Sequence, residues 1–200
     1  MNLLVETGRK RSGKDYLAQA LIDNGVRGFS EVIRCSFSDE LRILANELYP
    51  WCPAFPEDHL KDVPCPHPDN LLGLSPRALW LRLADDNDMS LRKIDGKLLV
   101  NRFIARWEDR IINETDKLFV ITDLRSADEV AWLDNLRKNI QFVIIRIIDD
   151  RNPDVRKASV KEDDFENYLG TIAVDHEYYH TFNDESVFAY IDSVSDMYGK

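Results

Sequence analysis

The stretch Gly8-Arg9-Lys10-Arg11-Ser12-Gly13-Lys14-Asp15 constrains this chain more than any other, because of what flanks it. Before it lies a short apolar run, Leu3-Leu4-Val5-Glu6-Thr7. After it, Lys14 to Ile22 places Leu17, Ala18 and Leu21 at helical spacing. Strand, glycine-bounded loop and helix in that order open an α/β fold. The loop reads G-x-x-x-x-G-K-D. Glycines at 8 and 13 let the backbone bend tightly, so that successive N–H groups point inward at an anion. The helix dipole adds its positive end at the same place, where Lys14 reaches the β/γ-phosphates of a nucleotide. A glycine-rich turn beside a lysine is common by itself, and the flanking strand and helix favour the phosphate site. Asp15 stands where a Ser or Thr hydroxyl usually ligates Mg²⁺. A carboxylate can do so directly or through water; the competing account is a loop that has lost its metal.

Bulk composition narrows the partners. Two hundred residues at 44% hydrophobic content suit one globular domain with a sizeable core. A formal charge of −10 argues against a protein that coats nucleic acid. Against that acidic background Arg9, Lys10, Arg11 and Lys14 crowd into six positions, the local reversal of sign an anion site needs. No run approaches the roughly 18 apolar residues of a membrane span, and no signal-peptide pattern opens the chain. Cys35, Cys52 and Cys65 lack CxxC spacing, so a reducing, cytoplasmic setting is expected.

The rest of the chain reads as repeated strand-loop-helix units. The first helix stops near Asn24-Gly25. A second strand is expected over Glu31 to Phe37. Ser38 then caps a helix carrying Leu41, Leu44, Ala45 and Leu48 on one face. Residues 50–75 hold six of the eight prolines and read as an irregular insertion. Ser75-Pro76 opens a helix through Leu83, residues 85–96 read as polar linker, and Leu98 to Ile112 is helical. Leu118–Ile121 and Phe142–Ile145 read as buried parallel strands. Between them Ser126-Ala127-Asp128-Glu129 forms a capping box before a helix. A highly charged, lid-like segment covers 149–170. A strand near Tyr178–Phe182 and a final amphipathic helix close the chain, giving a three-layer α/β fold with a parallel central sheet.

Phosphoryl transfer requires positioning and cations more than covalent chemistry. Arginine forks suit an acceptor phosphate, and candidates stand where strands end or helices begin: Arg42, Arg77 and Arg125. Asp123 precedes Arg125 in Thr122-Asp123-Leu124-Arg125. Arg146 lies in an apolar run where an unpaired charge is costly, so it is expected to emerge at that strand's end. Phe37, Trp80 and Trp132 are candidates to stack on a base, although such aromatics more commonly belong to the core.

The loop, ending in S-G-K-D, closely resembles that of bacteriophage deoxynucleoside monophosphate kinases. The resemblance continues in order through Ser36-Phe37-Ser38-Asp39-Glu40-Leu41-Arg42, where the family tends to have Lys last. It returns at Ser75-Pro76-Arg77-Ala78-Leu79 and at Thr122-Asp123-Leu124-Arg125 with Glu129. It recurs at Arg146 and at Asn183-Asp184. It departs at Ala84-Asp85-Asp86-Asn87, where the family often has Gly-Thr-Asp. Animal-type phosphomevalonate kinases share the loop and the Asp-x-Arg piece. The resemblance implies a P-loop nucleoside monophosphate kinase-like fold using ATP and Mg²⁺. Residues 8–15 would bind ATP phosphates, with Asp15 toward Mg²⁺. Phe37, Arg42, Arg77, Asp123 and Arg125 would take the acceptor. Lys14, Asp123, Arg125 and Arg146 would act in transfer, the last with Arg151 or Arg156 from the lid. The implied partner is a small nucleotide, not a nucleic-acid polymer or a membrane, and a homodimer agrees with the family.

Two other signals compete. His176-Glu177-Tyr178-Tyr179-His180 is a literal H-E-x-x-H, a zinc-peptidase pattern only on a helix. Its alternating flanks predict a strand, which would hold the histidines roughly 13 Å apart. Cys52, His59, Cys65 and His67 offer ligands for a zinc staple, but at a spacing that fits no common site. The reading is therefore an ATP-dependent (deoxy)nucleoside monophosphate kinase. The alternatives are phosphomevalonate kinase-like transfer and a nucleotide-binding regulatory module that has lost transfer.

Overall fold

The computed structural model describes residues 1–9, 11–84, 90–151 and 168–198. It divides into two compact units, residues 1–36 with 106–200, and residues 37–105.

The first unit is built on five parallel strands in the order β2-β3-β1-β4-β5. They are β1 (Leu3–Thr7), β2 (Glu31–Cys35), β3 (Lys117–Leu124), β4 (Phe142–Asp149) and β5 (His176–His180). β1 is central and wholly buried, as its apolar sequence demands. Leu4 faces a core made with α1 (Lys14–Asn24) and the terminal helix, Asp184–Tyr198. Leu17, Leu21, Val187, Tyr190 and Val194 meet Val32, Val120, Val143 and Ile145 there. The opposite face presents Phe119 to Trp107, at 6.3 Å between ring centroids. There α6 (Ala127–Leu136) is tied by Trp132 Nε1–H to Glu108 Oε2 of α5 (Leu98–Asn113). Helices thus cover both faces, the three layers the repeated units predict.

β1 pairs with β3 on one side and β4 on the other, and the chain reverses direction across the sheet here. The loop after β1 therefore opens at a topological switch point, where α/β folds bind ligands. The β1–β3 register slips between Val5↔Ile121 and Thr7↔Leu124. The slip is held by Thr7 Oγ1–H donating to the Leu124 carbonyl at 3.0 Å. An irregularity of this kind beside a loop re-aims side chains, here Thr122 and Asp123.

The second unit holds α2 (Phe37–Leu48), a 3-10 turn (Asp58–Leu60), α3 (Pro76–Ala84), α4 (Leu91–Ile94) and the start of α5. Its core gathers Leu41, Ala45, Cys52, Leu79, Trp80, Ala84 and Leu99. Residues 50–75 contain no other helix or strand, in keeping with their prolines.

Several boundaries differ from the sequence expectation. β2 stops at Cys35 and α2 begins at Phe37, not after Ser38. Asp39 and Glu40 then fill the first helical turn, where the dipole favours acids. α4 interrupts the expected linker at Leu91, while residues 85–89 lie outside the described residues. β3 continues through Asp123 to Leu124, and β4 through Arg146 to Asp149. β5 begins at His176 and ends two residues before Phe182. Of the lid-like segment, residues 152–167 with Arg156 lie outside the described residues, as does Lys10.

Candidate functional site

The loop's sequence and its backbone agree. Gly8 adopts φ 143°, and a Cβ there would stand 2.4 Å from the Ile147 carbonyl oxygen. Gly13 caps α1 at φ 96° with no side-chain cap, so the first-turn N–H groups keep no side-chain acceptor. A Cβ at 13 would meet His180 Cδ2 at 2.5 Å. Ser12 is buried, Arg9 half-buried and Arg11 exposed, the last at φ 67°.

Lys14 is 5% exposed. Its ammonium folds back over the loop and donates to Gly8 O (2.9 Å), Arg9 O (2.6 Å) and Ser12 Oγ (3.1 Å). Burial and the nearby Arg125 guanidinium push it down to about 8, against the pull of Glu6, Asp15 and Asp123. Asp15, its side chain 75% exposed, accepts from Arg34 at 3.0 Å and from the Thr122 hydroxyl at 3.1 Å. Desolvation acts to raise its pKa, but Arg34 and Thr122 outweigh that and hold it below the usual carboxylate value. Asp123 is buried and accepts from Ser36 Oγ–H at 2.7 Å. Arg125 is exposed. Its backbone N–H donates to Glu129 Oε2 at 2.6 Å, and the same oxygen takes the Ser126 N–H, so the capping box fixes where Arg125 begins.

Lys14, Asp15, Asp123 and Arg125 thus surround one loop in the first unit. Phe37, Arg42 and Arg77 belong to the second unit. There Arg42 pairs with Asp39 at 2.8 Å and lies over the Trp80 ring, while Arg77 pairs with Asp62 at 2.7 Å. Phe37 is buried with its ring 4.2 Å from that of Phe103, and Trp132 is buried and bonded to Glu108. Both are core positions, and the Trp80 ring face is taken by Arg42.

Arg146 departs from the expectation. It does not emerge at a strand end but sits in mid-β4, opposite Thr7 and Glu177. Its guanidinium donates to Glu177 Oε1 (2.8 Å), Ile172 O (2.8 Å) and Leu169 O (3.3 Å). An apolar run can absorb this arginine because β5 supplies an acid directly across from it. The His176–His180 segment is a strand, as its alternation predicts, and no group of three metal-ligating side chains occurs among the described residues.

Three contributors escaped the sequence reading. Glu6 is fully buried within β1 and accepts the Tyr190 hydroxyl at 2.6 Å. Its other oxygen has no hydrogen-bond partner, and burial pushes the carboxyl up to about 8 despite that bond and Lys14. A lone acid in an apolar strand just before the loop was the available signal. Arg34, the partner of Asp15, stands in a strand with no motif to mark it. His180, read only as part of H-E-x-x-H, packs under Gly13 and bonds Ser186 Oγ through Nδ1 at 3.0 Å.

No family model matches the chain, and neither does any curated protein. Among solved structures it is similar to TT1252 from Thermus thermophilus, at 14% identity and a TM-score of 0.50. The match spans all of this chain and 98% of that one. The likeness supports the α/β fold. No helix among the described residues is long and apolar enough to cross a membrane.

Proposed function

We propose that the chain is an ATP-dependent kinase that moves the γ-phosphoryl group to a (deoxy)nucleoside monophosphate. The observation that carries the reading is the state of Lys14, a buried cation whose three donors are spent on oxygens of its own loop. Such a side chain is held where a polyphosphate would sit, and phosphate oxygens replace those partners with stronger, charge-assisted ones. The loop's N–H groups and the α1 dipole cradle the same anion. Asp15 is ionised and open to solvent, which suits a hard cation; Asp15, beside Thr122, would hold Mg²⁺, which would supply charge neutralisation for the phosphates. Arg125, fixed at its backbone by Glu129, neutralises charge that develops on the transferring group. Asp123, held by Ser36, orients the acceptor. Arg42 and Arg77 are the second unit's candidates for the acceptor phosphate, following the S-P-R-A-L and S-F-S-D-E-L-R resemblance.

The Arg34–Asp15 pair favours a second reading, a nucleotide-binding module in which that arginine has taken the metal's place. ADP release from Mg²⁺–ATP, measured across deoxynucleoside and ribonucleoside monophosphates with mevalonate 5-phosphate included, separates the two. Turnover that depends on a nucleoside monophosphate is the expected result. ATP binding without acceptor-dependent turnover supports the module, and turnover with mevalonate 5-phosphate alone reassigns the acceptor.

A further inference from the structure

His180 is the second histidine of the H-E-x-x-H pattern, and the proposed reaction gives it no part. It ends β5 with its side chain fully buried. The ring lies against Gly13, where a Cβ would stand 2.5 Å from Cδ2 and 3.2 Å from Nε2. Other rings hold it there. Phe182, at a backbone φ of 61° that bulky side chains seldom adopt, sets its ring 4.1 Å from the imidazole. The Arg151 guanidinium lies 3.4 Å over that phenyl ring, and Tyr16 of α1 stands 5.9 Å from the imidazole. Strain of this kind collects at functional sites. The imidazole nitrogens differ. Nδ1 is 3.0 Å from Ser186 Oγ, which also reaches Asn183 O at 3.0 Å. One hydroxyl hydrogen cannot serve both acceptors. With the hydroxyl donating to Asn183 O, Nδ1–H donates to Ser186, and Nε2 is left as a bare acceptor; this tautomer is inferred from the network. Nε2 is buried and has no hydrogen-bond partner. A buried polar atom in that state calls for a physical reason, and its place against the residue that caps α1 supplies one.

We propose that His180 is a positioning residue for the phosphate loop, and that its Nε2 takes a proton from solvent when a polyphosphate enters the loop. The neutral imidazole becomes an imidazolium, no other bond changes, and the new charge lies behind Gly13 as a counter-charge to the anion at the start of α1. In the empty loop, burial first and Arg151 second hold the ring below the ordinary histidine value of 6.5, against the pull of Asp149. An anion in the loop opposes both influences. The other groups around the ring are accounted for. β4 and the turn after it bring Asp149 and Arg151, which pair at 3.2 Å, and Asp150, whose N–H donates to the His180 carbonyl. On α1, beyond Tyr16, Lys14 is engaged with loop oxygens and Asp15 with Arg34 and Thr122. α8 brings the Ser186 hydroxyl, with Asp184 and Glu185 in the same turn. A proton taken up on binding makes affinity fall as pH rises, by up to about tenfold per unit between the free ring's pKa and the occupied one's. This rests on the function proposed above only in that the loop takes a polyphosphate; it does not require transfer.

The test is the ¹⁵N spectrum of the histidine-labelled full-length chain at neutral pH, without and with ADP, which carries a polyphosphate but no γ-phosphoryl group. His59, His67 and His176 are exposed, so a chain carrying His59→Gln, His67→Gln and His176→Gln shows His180 alone. The expected free state is a neutral ring protonated on Nδ1, and the expected ADP-bound state is an imidazolium. The Kd for ADP should also rise several-fold more with pH, from slightly acid to slightly alkaline solution, in the unaltered chain than in His180→Gln. A merely structural histidine would weaken binding equally at every pH. The spectrum needs no change at His180, so it decides the matter even where that variant fails to fold. ADP that binds while the ring stays neutral overturns the proton uptake and leaves the loop as a phosphate site. ADP that does not bind at all overturns the loop reading and this one with it.

Discussion

The chain gathers arginine, lysine and carboxylate in two places, and they differ in what surrounds the charge. Around the loop of the first unit, Lys14 and Glu6 are buried, each with its protonation displaced to about 8. In the second unit, Arg77 and Asp62 approach to 2.7 Å, but their side chains are 38% and 67% exposed. Equal distances do not give equal energies. Removing a charge from water costs several kcal/mol and strengthens every interaction it then makes, whereas an exposed pair is screened. The loop therefore stores its electrostatics in the fold, and a change there should move stability, pH response and ligand binding together. The Arg77 guanidinium, more than a third exposed, is the less embedded of these charges.

The largest effect that sharpens this contrast is on turnover. Lys14→Ala should lower kcat/KM by a thousandfold or more, about 4 kcal/mol of transition-state stabilisation. The fold should persist, but its denaturation midpoint should fall, because Gly8 O and Ser12 Oγ lose a buried partner. Full activity in that variant would sink both the kinase reading and the loop's place in the contrast. Gly8→Ala comes next. Its methyl would press on a backbone carbonyl and force a φ that side chains rarely adopt, so urea unfolding should show a loss of about 3 kcal/mol or more. A loss under 1 kcal/mol would mean the loop is looser than its geometry implies.

How much of this was legible in the sequence follows the same division. The loop could be read residue by residue because its glycines, lysine and flanking periodicity are local demands of one backbone shape. The Ser126–Glu129 capping box was equally readable, being complete within four residues. Arg146 could not be placed, because what accommodates it is Glu177, thirty-one residues away on the neighbouring strand. Glu6 was missed for the same reason: Tyr190, its partner, comes from the last helix. The pairing of Arg34 with Asp15 depends on β2 lying close to α1, which no window along the chain contains. Helix starts shifted by a residue or two, as at Phe37, a buried aromatic that opens α2 one residue before Ser38, its expected cap.

Glu6→Gln probes the buried side of the contrast through pH. Its carboxyl titrates near 8 when folded against an ordinary 4.5. Between those values the native state keeps a proton that the unfolded chain has released, so raising the pH through this window removes stability, by up to about 1.4 kcal/mol per unit. The unaltered protein should therefore lose stability from pH 5 to 8 relative to Glu6→Gln. The two should be close at pH 5 and on the order of 3–4 kcal/mol apart at pH 8. Parallel stability curves across that range would show that Glu6 is ionised in the fold and that its burial is relieved by water.

The smallest effect belongs to the exposed pair, and a double-mutant cycle on stability with Arg77→Met and Asp62→Asn isolates it. Two side chains with this much solvent should couple by less than about 1 kcal/mol, and the coupling should shrink further in 0.5 M salt. The fold keeps the arginine's backbone in place through Lys61 in either case, so losing Asp62 frees the guanidinium without unseating the residue. A coupling of 2 kcal/mol or more, insensitive to salt, would place Arg77 among the chain's structural charges with Lys14 and Glu6. The contrast between buried and exposed charge would then fail at its weakest point.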